Sequence, residues 1–225
     1  MRVTLVSYNI HSCVGQDGRY DPDRIVAVLA ELQADLIALQ EVDSREHKGL
    51  KLLESLAEAT RLQAIPGPTL LRETGHYGNA ILTRLDVGDI RRIDLSLTGR
   101  EPRGAIDLDV ACGSTSLQII ATHLGLNPAE RRMQVRQLLE RFGAKHCVLM
   151  GDLNEWFLWG RPLRWLQAIF GKTPTPRTFP SACPLFALDR IWVRPPEALR
   201  SLRVHRTPLA RVASDHLPVK AVMEW

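Results

Sequence analysis

The apolar run Cys147-Val148-Leu149-Met150 ends in Gly151-Asp152-Leu153-Asn154, an acid and an amide two residues apart behind a glycine. A short apolar run bounded by turn residues reads as a buried strand. In open α/β sheets, ligands bind beyond the carboxyl ends of strands. Polar residues recur at such ends along the chain: Asn9, Glu41 and His123 close apolar runs, while Asp189 and Ser214-Asp215-His216 open them. Gathered at one rim, Asn9, Glu41, His123, Asp152, Asn154, Asp189, Asp215 and His216 offer carboxylates, amides and imidazoles with no thiolate. Such hard donors suit Mg²⁺ or Mn²⁺ and not a closed zinc site. Four acids in one place repel unless a cation or an imidazolium sits among them. Each residue alone is an ordinary turn or cap residue; the repetition is the signal.

The elements that must position these groups follow from periodicity. A first strand covers 3–11, and Asp21-Pro22 then supplies an N-cap with proline at the first helical position. Ile25, Val28, Leu29 and Leu32 fall on one helical face, and a second strand covers 35–41. A helix is predicted over 50–60, then strands over 62–65, 79–84, 90–97, 105–111 and 117–124. Asn127-Pro128-Ala129-Glu130 resembles a capping box with proline inside it; the helix it opens carries Met133, Leu138, Leu139 and Phe142 and stops at Gly143. Strands over 188–193, 199–206 and 219–225 close the chain. The unit strand–helix–strand thus ends once in Asn9 and Glu41 and again in His123 and Asp152. Two matching halves imply two packed sheets with one shared rim. Asp189 and Asp215-His216 reach that rim only if their strands run antiparallel to the earlier ones, so both sheets are predicted to be mixed.

Composition bounds the classes. With 225 residues, 45% hydrophobic and 24% charged, the chain can bury a core without staples, and the composition argues against disorder. No linker or low-complexity stretch interrupts it, so one domain over 1–225 is expected. Cys13, Cys112, Cys147 and Cys183 form no CxxC pair, which argues against zinc and redox motifs. A strand instead of a signal peptide at the start, and no apolar run long enough to span a bilayer, make the cytoplasm the expected location. A net charge of +4 suits a phosphate-bearing partner without demanding nucleic acid.

Read in order, Ser7-Tyr8-Asn9-Ile10, Leu39-Gln40-Glu41-Val42, Gly78-Asn79-Ala80-Ile81-Leu82, Thr122-His123-Leu124, Gly151-Asp152-Leu153-Asn154, Leu188-Asp189-Arg190-Ile191 and Ser214-Asp215-His216-Leu217-Pro218 resemble the motifs of the endonuclease/exonuclease/phosphatase superfamily. Its members include deoxyribonuclease I, apurinic endonucleases, sphingomyelinases and inositol-phosphate phosphatases. The resemblance implies a four-layer α/β/β/α sandwich of two mixed sheets, deoxyribonuclease I-like, and Mg²⁺- or Mn²⁺-dependent hydrolysis of a phosphoester. It implies Glu41 as principal metal ligand with Asn9 and Asp215 close by. Asp152 would orient or deprotonate water, and Asn154 would hold a phosphate oxygen. His216, oriented by Asp189, would stabilise developing charge, and His123 would contact a non-bridging or leaving oxygen. Arg103 matches a family arginine near the phosphate or is a solvated or paired surface charge opening a strand, and Tyr77 and Asn79, at the start of a strand facing the same rim, contact substrate or fill core or turn positions. His11, His47, His76, His146 and His205 read as bystanders.

The substrate is less legible. Glu41 is followed by Val42-Asp43, where apurinic endonucleases carry Thr-Lys, which speaks against abasic-site repair. Arg91, Arg92, Arg131, Arg132 and Arg136 could track a phosphate backbone or cover exposed faces. Trp156-Phe157-Leu158-Trp159-Gly160-Arg161-Pro162-Leu163-Arg164-Trp165 either packs a helix on the core or forms an interfacial lip for peripheral membrane contact. A phosphodiester of a lipid, a small molecule or a nucleic acid is the expected substrate, with no obligate protein partner. A nuclease, or a catalytically silent phosphate-binding module, is the alternative.

Overall fold

The computed structural model describes residues 1–72, 75–113 and 115–224, with side chains described for all of these but 71, 72 and 75. The first half runs β1 (Arg2–Asn9), α1 (Pro22–Leu32), β2 (Leu36–Asp43), β3 (Glu46–His47), β4 (Leu50–Lys51), α2 (Leu52–Thr60), β5 (Gln63–Arg72) and β6 (Gly75–Thr83). The second runs β7 (Asp86–Asp94), β8 (Gly104–Cys112), β9 (Thr115–His123), α3 (Pro128–Leu139), β10 (Cys147–Asp152), α4 (Arg161–Phe170), β11 (Asp189–Arg194), β12 (Leu199–Val204), α5 (Pro208–Ala213) and β13 (Val219–Glu224).

Two mixed sheets result, in the orders β12-β13-β1-β2-β6-β5 and β11-β10-β9-β8-β7. Each contains one parallel pair, β1 with β2 and β9 with β10, joined by a crossover helix. The strands carrying Asp189 and following Asp215-His216 run antiparallel to their neighbours, β11 on β10 and β13 on β1. Alternation along the strands builds three cores. Val3, Leu5, Ile119, Val148, Met150 and Ile191 fill the space between the sheets. Val6, Tyr8, Ile37 and Leu39 pack outward on α1 and α2, while Ile120, Leu149 and Trp192 pack outward on α3 and α4. The layers are therefore helix, sheet, sheet, helix. Central strands buried on both faces explain the unbroken apolar runs of the sequence.

The caps behave as the residue types dictate, with one correction. The Asp21 side chain accepts from the Arg24 amide and Asn127 from the Ala129 amide, each ahead of a proline. Glu130 does not complete a capping box; it is buried and accepts from Gln134 Nε2. Helix α3 ends at Leu139, before Phe142 and Gly143. Strand β5 runs on through Pro66, Gly67 and Pro68 because it is an edge strand, where a missing N–H costs no ladder bond. The hairpin β3–β4 and the six-residue α5 are too short for periodicity to reveal. The last expected strand residue, Trp225, lies outside the described residues.

Candidate active site

Three backbone devices aim the polar side chains. Gly151 has φ +145°, and a Cβ there would lie 1.8 Å from the Thr122 carbonyl oxygen. Only glycine lets β10 approach β9 this closely. In the resulting register Asp152 is paired with His123 on one side and Asp189 on the other. Glu41 sits in a bulge between Leu39 and Val42 with φ +58°, which re-aims its carboxylate at the strand end. His11, Ser12 and Cys13 are three consecutive left-handed residues after Asn9, and Asn154, like Glu41, is left-handed too. Such conformations cost about 1–3 kcal/mol each and collect at functional sites. The last loop is tied in by Ser214, whose Oγ donates to the Asn9 carbonyl at 2.8 Å.

The contacts converge on Asp152 Oδ2. Asn9 Nδ2 donates to it at 3.1 Å, and Nε2 of His123 and of His216 stand 3.5 and 3.6 Å away. Asp152 Oδ1 accepts from the Asn154 amide at 2.9 Å. The same Asn9 amide donates to Glu41 Oε1 at 2.9 Å, so one neutral NH₂ bridges two carboxylates from different sheets. Its own oxygen accepts from the His11 amide. His216 Nδ1 contacts Asp189 Oδ2 at 2.8 Å, and Thr178 Oγ1 donates to that oxygen at 2.5 Å. Phe179 packs on the His216 ring at 4.8 Å between centroids. Arg103 is buried, with Nη1 at 3.1 Å from His123 Nδ1 and Nη2 donating to Glu101. Asn154 Nδ2 donates to the Leu124 carbonyl and stands 3.0 Å from His123 Nε2. A neutral imidazole has one lone pair to offer these two donors, so the ring lies in a surplus of N–H groups that an incoming anion would relieve.

Electrostatics split the two histidines. Burial outweighs the pull of Asp152 and, with the Arg103 and His216 charges, brings His123 down to about 3, a neutral ring. Burial also opposes charge on His216, but Asp189 and Asp152 overcome it and push the imidazole up to about 10. Tyr77 is raised by burial first and then by the charges of Glu41 and Glu101, and its phenol bonds Glu41.

The donor chemistry fits a divalent cation. Asp189 Oδ1 is buried with no hydrogen-bond partner among the described residues, and Glu41 and Asp152 share a neutral amide where a cation would serve both. Asp152, Asp189 and His216 each offer a ligand atom within 4.8 Å of the others. A protonated His216 has no lone pair to give, so the oxygen donors around Asn9 are the better seat. Turning the Asn9 oxygen toward Glu41 and Asp152 would be repulsive without a cation between them.

Of the expected residues, Asn9, Glu41, His123, Asp152, Asn154, Asp189, His216 and Arg103 form this one hydrogen-bonded and ion-paired network. Asp215 adjoins it through Ser214 and lies 3.7 Å from His11 Nδ1. His11, which sequence reading sets apart from the site, therefore adjoins it. Tyr77 joins through Glu41; Asn79 is buried and donates to the Gly104 carbonyl, a bond between the two sheets. Sequence reasoning misses Thr178 and Phe179, which lie in an aperiodic proline-rich stretch. Arg91 pairs with Asp107 and Asp109, Arg92 binds the Pro66 carbonyl, Arg131 is buried on Glu155, and Arg136 covers Trp165. These four are engaged within the fold. The aromatic stretch divides: α4 buries Leu163, Leu166 and Phe170, whereas Trp156 to Trp159 form an exposed loop, Trp159 at 72%.

Comparison with known proteins agrees with this geometry. The profile of the Endonuclease/Exonuclease/phosphatase family matches residues 6–216. The chain is 30% identical over 213 aligned residues to "Uncharacterized protein YbhP" of Escherichia coli K12, covering 84% of this chain and 83% of that one. Among solved structures it superposes on an endonuclease/exonuclease/phosphatase from Beutenbergia cavernae DSM 12333 with TM-score 0.80 and 22% identity, over 99% of this chain and 71% of that one. A humanized D. rerio TDP2 gives TM-score 0.75 at 18% identity, over 100% and 99%. Below a quarter identity these structures speak for the fold alone, which is deoxyribonuclease I-like. Hydrolysis of phosphoester bonds is the reaction class that goes with such membership: the chain belongs to the endonuclease/exonuclease/phosphatase family.

Proposed function

We propose that the protein is a Mg²⁺- or Mn²⁺-dependent phosphodiesterase that cleaves its substrate by in-line attack of water. The observation that carries this reading is the convergence of Asn9, His123 and His216 on one oxygen of Asp152. A divalent ion, seated by Glu41, Asn9 and Asp215, would supply charge neutralisation at the phosphoryl oxygens. In-line displacement also needs a positioned water, donors for the equatorial oxygens and stabilisation of the leaving oxygen. Asp152, an acceptor held by the Asn154 amide, orients the water and takes its proton. His216 enters protonated, steadied by Asp189 and Thr178, and faces developing negative charge as a donor. Asn154, Arg103 and neutral His123 turn N–H groups toward a non-bridging oxygen. Tyr77 and Asn79 shape the Glu41 side of the site.

The test is hydrolysis of bis(p-nitrophenyl) phosphate with Mg²⁺ or Mn²⁺. EDTA is expected to abolish it, and Asp152→Ala to lower kcat by at least about a hundredfold. Metal-independent turnover, or an unaffected variant, overturns the reading; no turnover together with tight phosphate binding would identify a silent binding module. For the substrate, we favour a phosphodiester presented at a lipid surface. The loop 156–159 exposes Trp156, Phe157, Leu158 and Trp159, and ring contacts run from His216 to Phe179 (tilted, 45°) and from Phe179 to Trp156 (edge-to-face, 86°). Phe157 and Trp159 share a cleft with Arg132, Arg161 and Arg164, cations suited to anionic headgroups. DNA or RNA is the second reading, because exposed aromatics beside arginines also stack bases.

A further inference from the structure

Strand β11 carries charge on both faces. Asp189 points to the catalytic side, and the next residue, Arg190, is turned toward α4 with only 3% of its surface exposed. Its Nε donates to the Ala187 carbonyl, but its buried Nη2 has no partner among the described residues. The nearby carboxylates are committed elsewhere. Asp189 Oδ2 already receives His216 and Thr178, and Glu155 is paired with Arg131. Burial pulls the guanidinium down to about 10 in spite of Asp189 and Glu155. Two residues on, the indole Nε1 of Trp192 is likewise buried and unpartnered. Removing a cation from water without a counter-charge is costly, and an unmet donor beside it adds to the cost. Both side chains line one cavity of about 200 Å³, with Lys172, Thr173 and Thr175 on its wall and Leu158 on its rim. Three donor-bearing residues of the 171–175 loop thus line the same cavity as Arg190 and Trp192, whose unpartnered donors are buried in its wall.

We propose that this cavity, on the opposite face of β11 from the catalytic carboxylate, is a second anion site that takes a phosphate group on Arg190. The group is either inorganic phosphate or the headgroup phosphate of a phospholipid, whose chains would meet exposed Leu158 and its neighbours Phe157 and Trp159. The site does not depend on the catalytic reading.

The experiment uses the full chain in EDTA, in an Asn154→Ala background that removes a catalytic phosphate contact. Inorganic phosphate is titrated while melting temperature and the Trp192 indole N–H resonance, assigned by its loss in Trp192→Phe, are followed. Phosphate is expected to raise the melting temperature and move that resonance. Arg190→Met should weaken both responses at least about tenfold. It should also melt no lower than its parent in phosphate-free buffer, because an uncompensated buried charge is gone. Arg190→Lys should retain part of the response. Co-sedimentation with phosphatidylcholine vesicles containing phosphatidic acid, lost in Arg190→Met, assigns the site to a headgroup. Phosphate binding without vesicle retention assigns it to the free anion. Equal phosphate responses in parent and Arg190→Met, or a static Trp192 resonance, overturn the proposal.

Discussion

Two histidines 3.5 and 3.6 Å from one carboxylate oxygen carry opposite protonation, and the difference lies in their second neighbours. Behind His216 stands Asp189, an acceptor; behind His123 stands Arg103, a donor. This split sets a pH signature on the metal-free protein. The unfolded imidazole titrates near about 6.5. His123 has a lowered folded value, about 3, so between 3 and 6.5 the unfolded chain holds more protons there and stability rises with pH. His216 has a raised folded value, about 10, so its contribution is full below 6.5 and is lost as pH climbs toward 10. Melting temperature in EDTA should therefore pass a maximum near about 6.5, as far as these two groups decide it. Measured from pH 5 to 9, His123→Asn should flatten the acid limb and His216→Gln the alkaline limb. An alkaline limb unchanged in His216→Gln would show that this ring is not a cation in the folded protein.

The elements are held to the site by a buried brace. Helix α3 is anchored by Arg131, 1% exposed, whose guanidinium reaches Glu155 and the carbonyls of Gly125 and Leu126. Glu155 directly follows Asn154, so the ion pair clamps the loop that carries Asn154 to the helix layer. Arg131→Met leaves Glu155 buried without a counter-charge and should destabilise the protein by about 3–5 kcal/mol in urea titration. Adding Glu155→Leu should recover much of that loss. If the double variant is no better than the single, the pair is not the brace. At this scale the sequence is most readable where periodicity and chemistry coincide. Strands β1, β2, β9 and β10 announce themselves as apolar runs; β1, β9 and β10 close on Asn9, His123 and Asp152, and β2 carries Glu41 two residues before its end. The antiparallel placement of β11 and β13 follows from asking how Asp189 and His216 could share a rim with Asp152. What stays hidden lacks a local pattern. Thr178 reaches Asp189 from an aperiodic loop, and His11 comes to Asp215 only through a left-handed turn. The burial of Arg190 has no local pattern either and becomes visible only once the outer face of β11 is seen to be covered.

For the molecule as a whole, the question is which large substrate its surface can grip. A protein that neutralises six to ten backbone phosphates loses roughly 10³–10⁵ in affinity between 50 and 200 mM salt. Here the net charge is only +4, and Arg91, Arg92, Arg131 and Arg136 are engaged within the fold. Beside the three arginines of the cleft the surface is apolar: Leu158 is 60% exposed and Trp159 more so, with Leu185 and Phe186 exposed on the 183–186 loop. Trp156 bridges the two loops through its contact with Phe186. Burying a large side chain from water is worth about 1.5–3 kcal/mol. A pair of such residues entering an interface is therefore sufficient to concentrate enzyme on a surface. The expectation is that Phe157→Ser with Trp159→Ser lowers kcat/KM for a phosphodiester lipid in anionic mixed micelles at least about tenfold more than for bis(p-nitrophenyl) phosphate. Raising salt from 50 to 200 mM should change KM for an oligonucleotide by less than about a hundredfold, since the cleft offers three arginines, Arg132, Arg161 and Arg164, and not six to ten phosphate contacts. Equal losses on micellar and soluble substrates, with a steep salt dependence on the oligonucleotide, would instead assign the exposed rings to base stacking and the reaction to nucleic acid.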